Sequence, residues 1–177
     1  MLVTLELKEW ENFDDEALFK AVILPTVHEM HSFKNPKNKF EVYKELTLGQ
    51  RAVFMFWVLY DHSDKEIDQF YTWIPYMRES KQNYWSELKA GIATIEDEAL
   101  LLFLNDCEKT FDFLEQINKK HDPNWKDYSQ YDLEKRPELR PYVRNLHQTF
   151  EKIVPTTIKI ISKYIRNFTN EFVQIKE

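Results

Sequence analysis

The sequence predicts an all-α protein, a single-domain bundle of about seven or eight helices with a short extended arm at its N-terminus. Three observations predict this class. Only two glycines occur in 177 residues, which disfavours turn-rich β architectures. Hydrophobic residues make up 43% of the chain, and most of them recur at helical spacing. A length of 177 residues fits one core, so we expect residues 1–177 to form one domain.

The N-terminal part of the chain predicts an extended arm followed by a helix. Residues 2–7 are mostly apolar and are expected to form an extended arm or a short strand. Asp14 or Asp15 is a suitable N-cap for a helix that continues to about Phe33. Pro25 is expected to kink or restart this helix, and the following segment SFKNPKNK has the composition of a loop.

The next stretch predicts the helix that lies deepest in the bundle. A short helix at 40–46 leads to Thr47, which with Gln50 has the pattern of a capping box. The stretch AVFMFWVLY at 52–60 is apolar nearly all round. We therefore expect its helix to lie at the centre of the domain.

Two further helices are predicted before the middle of the chain ends. The segment Ser63-Asp64-Lys65-Glu66 repeats the capping pattern and predicts a helix that Pro75 interrupts. Another helix lies near 82–90 and is expected to end at Gly91, because glycine favours the left-handed position after a helix.

A long amphipathic helix is predicted from about 95 to 119, capped by Thr94 together with Asp97. Its apolar stripe includes Cys107, the single cysteine of the chain. A reactive thiol needs exposure and a cationic neighbour. Since acidic residues flank Cys107, we expect a buried and unreactive thiol.

The C-terminal part predicts a packed loop and two helices. The loop at 121–137 is polar, but it contains three rings that are expected to pack onto the body: Trp125, Tyr128 and Tyr131. Two final helices are predicted at 138–152 and 156–172, with Pro155 separating them.

Charge is distributed unevenly and argues against a nucleic-acid binder. The net charge is −6, with 15 basic and 25 acidic residues in 1–133, against 9 and 5 in 134–177. Phosphate contacts demand clustered Lys and Arg, whereas an acidic body suits a basic protein partner. Glycine-rich phosphate-binding motifs are absent from the sequence, and we expect no cofactor.

Two groups of acidic residues are the candidate partner-binding face. They are Asp61, Asp64, Glu66 and Asp68 at one predicted helix start, and Glu96, Asp97 and Glu98 at another. If the two helix starts share a face, their carboxylates could imitate the spacing of phosphates. The alternative is that these residues only complement helix dipoles, which is typical of carboxylates in first turns.

The stretch VHEMH contains the best candidate metal ligands, His28 and His31. On a helix these residues lie about 60° apart around the axis, so both can point the same way. A catalytic zinc needs a third protein ligand and would favour the pattern H-E-x-x-H, which this stretch misses by one residue. We therefore predict no metal site and keep the pair as a candidate for a metal-dependent hydrolase.

Four short stretches carry a family resemblance. They are TLGQRAVF at 47–54, FY at 70–71, WSELKAGI at 85–92 and IEDE at 95–98. Their order resembles a family of small all-helical bacterial proteins, mostly uncharacterised, that includes a DNA-mimic protein. The match spans roughly residues 45–118 and 156–172. It implies an all-α fold and, from the DNA-mimic member, an acidic surface that occupies the DNA-binding site of a regulator.

The leading hypothesis is a non-catalytic acidic protein that binds a basic protein partner, possibly a DNA-binding protein, by mimicking DNA or as an antitoxin or immunity-type inhibitor. The alternatives are the hydrolase that uses His28 and His31, and a small-molecule binder with a pocket of Trp57, Trp73 and Trp85. We expect a cytoplasmic protein, because the N-terminus lacks a secretory pattern and no apolar run reaches membrane-spanning length. The sequence leaves the oligomeric state open.

Overall fold

Ten α-helices and two strands make up the part of the chain that this computed structural model describes, residues 2–32, 39–63 and 66–176. Helices account for 81% of the structure, so the predicted all-α class is confirmed. None of the helices in these residues is long and apolar enough to cross a membrane. The elements are β1 (Val3–Glu6), α1 (Leu7–Asn12), α2 (Asp15–His31), α3 (Lys39–Glu45), α4 (Leu48–Ser63), α5 (Ile67–Glu79), α6 (Tyr84–Thr94), α7 (Glu98–His121), α8 (Gln130–Lys135), a 3₁₀ turn (Pro137–Leu139), α9 (Arg140–Asn167), α10 (Thr169–Phe172) and β2 (Val173–Lys176).

Helix α4 lies at the centre of the structure, as its sequence predicts. None of its residues between Ala52 and Tyr60 is exposed. The Phe56 ring packs against Phe19 of α2 at a centroid distance of 5.6 Å. The Thr47 capping box is also confirmed, since the Gln50 side chain accepts from the Thr47 N–H and the Thr47 hydroxyl accepts from the Gln50 N–H, both at 3.2 Å.

The helix count differs from the prediction for two reasons. Helix α1 lies between the predicted arm and the first predicted helix, α8 lies in the predicted loop, and α10 lies at the end of the last predicted helix. The two helices predicted around Pro155 are one helix, α9, which continues through the proline. Pro25 and Pro75 likewise lie inside α2 and α5 without ending them.

The predicted N-terminal arm is a strand, β1, that pairs with a strand near the C-terminus. Strand β1 pairs in parallel with the unpredicted strand β2, with Val3 opposite Val173 and Leu5 opposite Ile175. Leu5 and Val173 are both buried. The two ends of the described chain therefore lie side by side.

Two predictions about the junction between α6 and α7 are wrong. Gly91 does not end α6, which continues to Thr94, and the left-handed residue after the helix is Glu96 with φ of 60°. The N-cap of α7 is Asp97 rather than Thr94. Gly91 serves instead where α6 crosses α4, because a Cβ there would lie 2.7 Å from the Ala52 Cα.

Several rings and the thiol predicted to pack inside do so. Trp125 and Tyr128 of the predicted loop are half-buried, whereas Tyr131 is 57% exposed. Cys107 is buried, and that burial raises the pKa of its thiol well above its usual value. Trp85 is also buried and donates from its indole N–H to Glu108 at 2.6 Å, so it acts as a core residue.

Candidate binding site for cationic side chains

A groove lies between the second half of α5 and the segment that connects α7 to α8. Its cavity has a volume of about 320 Å³. Four of the residues around it recur along α5 at helical spacing, and two belong to the connecting segment. The residues around this cavity, here called the Tyr76 groove, are Thr72, Pro75, Tyr76, Glu79, Ser80, Asp127 and Tyr128.

The carboxylate of Asp132 holds the connecting segment against α5. It accepts hydrogen bonds from the Ser129 backbone N–H at 3.0 Å and from the Trp125 indole N–H at 3.3 Å. It also accepts one from the Tyr71 hydroxyl of α5 at 3.3 Å, and it pairs with Arg136 at 3.1 Å. One side chain outside the groove therefore fixes its two sides relative to each other.

Tyr128 forms the inner wall of the groove. Its hydroxyl donates to the Phe111 carbonyl at 2.7 Å, and its ring packs edge-on against Tyr71 and Trp125 at centroid distances of 5.2 and 4.8 Å. Burial raises the pKa of the Tyr128 hydroxyl far above its usual value. Tyr128 therefore stays neutral, and these contacts hold its ring in place.

The negative charge of the groove comes from Glu79 and Asp127. Neither carboxylate has a hydrogen bond or ion pair with another of the described residues. Partial burial, followed by the Glu115 carboxylate, raises the pKa of Glu79, and the Asp127 carboxylate adds to the shift. Nearby carboxylates therefore disfavour the ionised form of Glu79, although this residue is exposed.

Two cations act on Glu79 but are held by other carboxylates. Arg78 and Lys119 both lower the pKa of Glu79. Each is already paired, however, Arg78 with Asp112 and Lys119 with Glu115. Neither of these two cations is therefore free to neutralise Glu79.

A row of aromatic rings continues from the groove along α5 to neighbouring helices. The His62 ring stacks on Trp73 at a centroid distance of 3.8 Å and an angle of 9°. Trp73 contacts Tyr76 at 4.9 Å, and Tyr76 lies 6.5 Å from Tyr84. With Tyr76 53% exposed, this row presents an aromatic surface beside the two unpaired carboxylates.

Such a combination suits an organic cation. Guanidinium and ammonium groups are attracted to the faces of aromatic rings and form charge-assisted hydrogen bonds with carboxylates. A metal ion is a poorer fit, since no three His, Cys, Asp or Glu side chains in the described ranges form a group that could hold one. The chemistry of the groove therefore suits a Lys or Arg side chain.

The first predicted acidic group is only partly available. Asp61 and Glu66 are exposed near the end of α4 and the start of α5. Asp68 is half-buried, and its carboxylate lies 3.8 Å from the Arg140 guanidinium. Asp64 lies outside the residues that the structure describes.

The middle residue of the second predicted acidic group, Asp97, is buried. Asp97 is 1% exposed, so its carboxylate cannot belong to a partner-binding face. It accepts from the Leu100 N–H at 2.9 Å, as N-cap of α7, and from the Thr157 hydroxyl of α9 at 2.6 Å. Glu96 and Glu98 on either side of it are exposed.

The two acidic groups lie far apart along α9. Asp68 is next to Arg140 in the first turn of this helix, whereas Asp97 contacts Thr157, 17 residues further along. At 1.5 Å per residue this separation is roughly 25 Å. The exposed carboxylates therefore form separate groups.

The groove residues that the sequence did not single out are Tyr76, Glu79 and Asp127. Tyr76 and Glu79 are three residues apart on α5, which indicates that they share one face of that helix. The position of Asp127 depends on the folding of the connecting segment onto α5, for which the sequence contains no local signal.

His28 and His31 do not form a metal site with a third ligand among the described residues. Both imidazoles are exposed at the end of α2, and the His31 Nδ1 lies 2.8 Å from the Val27 carbonyl oxygen. A protonated imidazole at this end of a helix would also complement the helix dipole. The pair therefore has a structural explanation.

Neither a protein-family model, nor a curated protein, nor a solved structure matches the chain. The resemblance to the family that includes a DNA-mimic protein accordingly stays a prediction.

Proposed function

We propose that this protein is a non-catalytic interaction protein that binds a basic protein partner, and that the Tyr76 groove receives cationic side chains of that partner. The observation that best supports the proposal is the pair of unpaired carboxylates, Glu79 and Asp127, beside the exposed Tyr76 ring. A bound guanidinium or ammonium group would relieve their mutual repulsion. The net charge of −6 adds a longer-range attraction for a basic partner.

Mimicry of DNA and inhibition of a toxin or nuclease are two sharper forms of this proposal. Mimicry requires a row of exposed carboxylates, whereas Asp97 is buried and Asp68 is paired with Arg140. Binding at the groove requires no such row, so we favour a basic partner without mimicry. We place this function in the cytoplasm. The sequence has one cysteine, Cys107, which is buried and free, so the chain has no internal disulfide that an oxidising compartment would have to form.

Removing the two groove carboxylates is expected to weaken binding of a fluorescein-labelled peptide of alternating arginine and glycine. The Glu79→Gln/Asp127→Asn variant should raise the Kd at least about tenfold, since both charge-assisted contacts of the groove are lost. Fluorescence anisotropy at low ionic strength measures the Kd. The affinity of the native protein should fall as salt is added.

The matched control removes two exposed carboxylates outside the groove. The Asp61→Asn/Glu98→Gln variant has the same net charge as the groove variant, and we expect its Kd to stay within about twofold of the native value. Equal losses in the two variants would show that only total charge matters. Absence of binding at low salt would remove the proposed function altogether.

The pH dependence of peptide binding is expected to follow Glu79. Burial, then the Glu115 carboxylate, raises the pKa of Glu79 from 4.5 in the folded protein. Since only the ionised form attracts the peptide, affinity should increase as the pH rises through that raised pKa. The stability contributed by the shift has the opposite trend: it is present below pH 4.5 and is lost as the pH rises through the folded pKa. Anisotropy from about pH 4 to pH 7 should rise more steeply for the native protein than for Glu79→Gln; equal slopes would contradict this assignment.

A further inference from the structure

The solvent-facing side of α7 carries a narrow row of exposed residues. Successive members are separated alternately by three and four residues, which keeps them on one side of the helix. This row, here called the α7 stripe, consists of Ala99, Leu102, Asp106, Lys109, Phe113 and Gln116.

Two members of the α7 stripe are large apolar side chains that the fold leaves in solvent. Leu102 is 66% exposed and Phe113 is 43% exposed. They lie roughly 16 Å apart along the helix. Tyr142 of α9, itself 45% exposed, extends the apolar surface, because its ring lies 5.3 Å from that of Phe113.

The α7 stripe is complementary to itself when its direction is reversed. Leu102 and Phe113 are placed symmetrically about the point between residues 107 and 108, and so are Asp106 and Lys109. A second α7 that runs antiparallel across this point would bring Leu102 against Phe113 of the partner subunit. It would also bring Asp106 against Lys109 of the partner subunit, so that apolar meets apolar and each charge meets its opposite.

We propose that two copies of this chain associate through the α7 stripe, with the helices antiparallel about a two-fold axis near residues 107 and 108. The occupant is a second copy because the stripe complements itself in both its apolar and its charged positions, as an isologous interface requires. Asp106 and Lys109 already pair at 3.3 Å within one chain, with side-chain exposures of 64% and 77%. An exposed pair of this kind contributes little stability, so its members can exchange partners across the axis.

The association is expected to be weak and concentration-dependent. One helix packed on another, with Tyr142 beside it, is a small interface compared with those of permanent dimers. The Tyr76 groove lies on α5 and on the segment after α7, so it is a separate surface. Dimer formation and peptide binding therefore succeed or fail independently.

Sedimentation equilibrium between about 10 μM and about 1 mM tests this proposal. We expect the native protein to shift from monomer to dimer over this range, and Leu102→Asp to raise the dissociation constant at least about tenfold. Leu48→Asp is the control: it changes a leucine that is 75% exposed at the start of α4 and should leave the constant within about twofold. A protein that stays monomeric throughout, or a dimer indifferent to Leu102→Asp, would overturn the proposal.

Charge reversal tests the antiparallel register. Asp106→Lys would place a lysine against Lys109 of the partner subunit, and we expect the dissociation constant to rise at least about tenfold. Adding Lys109→Asp in the same chain exchanges the signs and should return the constant to within about threefold of the native value. A double variant as weak as Asp106→Lys would refute the register. Circular dichroism checks folding, which these exposed positions should not disturb.

Discussion

Replacing Asp97 by alanine is expected to lower the free energy of unfolding by about 2–4 kcal/mol. The buried Asp97 carboxylate caps α7 through the Leu100 N–H and accepts from the buried Thr157 hydroxyl of α9. Loss of the cap costs about 1 kcal/mol. The Thr157 hydroxyl, left without an acceptor, adds about 1–3 kcal/mol. Urea unfolding followed by circular dichroism measures the difference.

Two further variants identify the cause of this loss. Glu98→Gln removes the charge of an exposed neighbour and should change the free energy of unfolding by no more than about 0.5 kcal/mol. Thr157→Val, added to Asp97→Ala, should recover part of the loss, because it removes the buried hydroxyl that has no acceptor. If Asp97→Ala lowers the free energy of unfolding no more than Glu98→Gln does, Asp97 does not cap α7. It would then again be a candidate for the acidic surface.

Helix positions could be predicted because their signals are local. The Asp14 carboxylate accepts from the Ala17 N–H at 2.8 Å, and the Thr47 capping box also joins residues three apart. Apolar spacing likewise depends only on near neighbours in sequence. The sequence therefore locates α2, α4 and α7 to within a few residues.

The prolines do not end their helices, because packing outweighs their local cost. Pro155 removes one helical hydrogen bond, but Val154 before it and Ile158 after it are both buried on the same side of α9. Pro75 is itself buried within α5. A continuous helix keeps these side chains buried. The sequence alone does not show that the free energy of this burial exceeds the cost of the lost hydrogen bond.

The Tyr76 groove could not be predicted because its two sides are joined by contacts between residues far apart in sequence. Tyr71 and Asp132, whose hydrogen bond fixes those sides, are 61 residues apart in sequence. The sequence also gives the number of acidic residues, but it does not show which of them are paired, buried or free. Asp97, Asp68 and Glu79 look equivalent in the sequence, yet one caps a helix, one pairs with an arginine and one remains unpaired.

A second large effect is expected where α4 and α6 cross. Gly91→Val should lower the free energy of unfolding by about 3 kcal/mol or more. A Cβ at residue 91 would lie 2.7 Å from the Ala52 Cα and 3.0 Å from its Cβ. Because the nearer atom belongs to the backbone, a change of rotamer cannot relieve the contact, and the helices would have to separate. Urea unfolding measures the cost.

Gly91→Ala separates this steric cost from helix propensity. Alanine favours a helix over glycine by about 1 kcal/mol, so a site governed by propensity would gain stability. We expect a loss of about 1–3 kcal/mol instead, because φ at Gly91 is not positive and only the lack of space opposes a side chain. Ala90→Val, at the exposed neighbouring position, should cost about 0.5 kcal/mol and measures propensity alone. A more stable Gly91→Ala variant would show that the two helices do not approach as closely as Gly91 and Ala52 require.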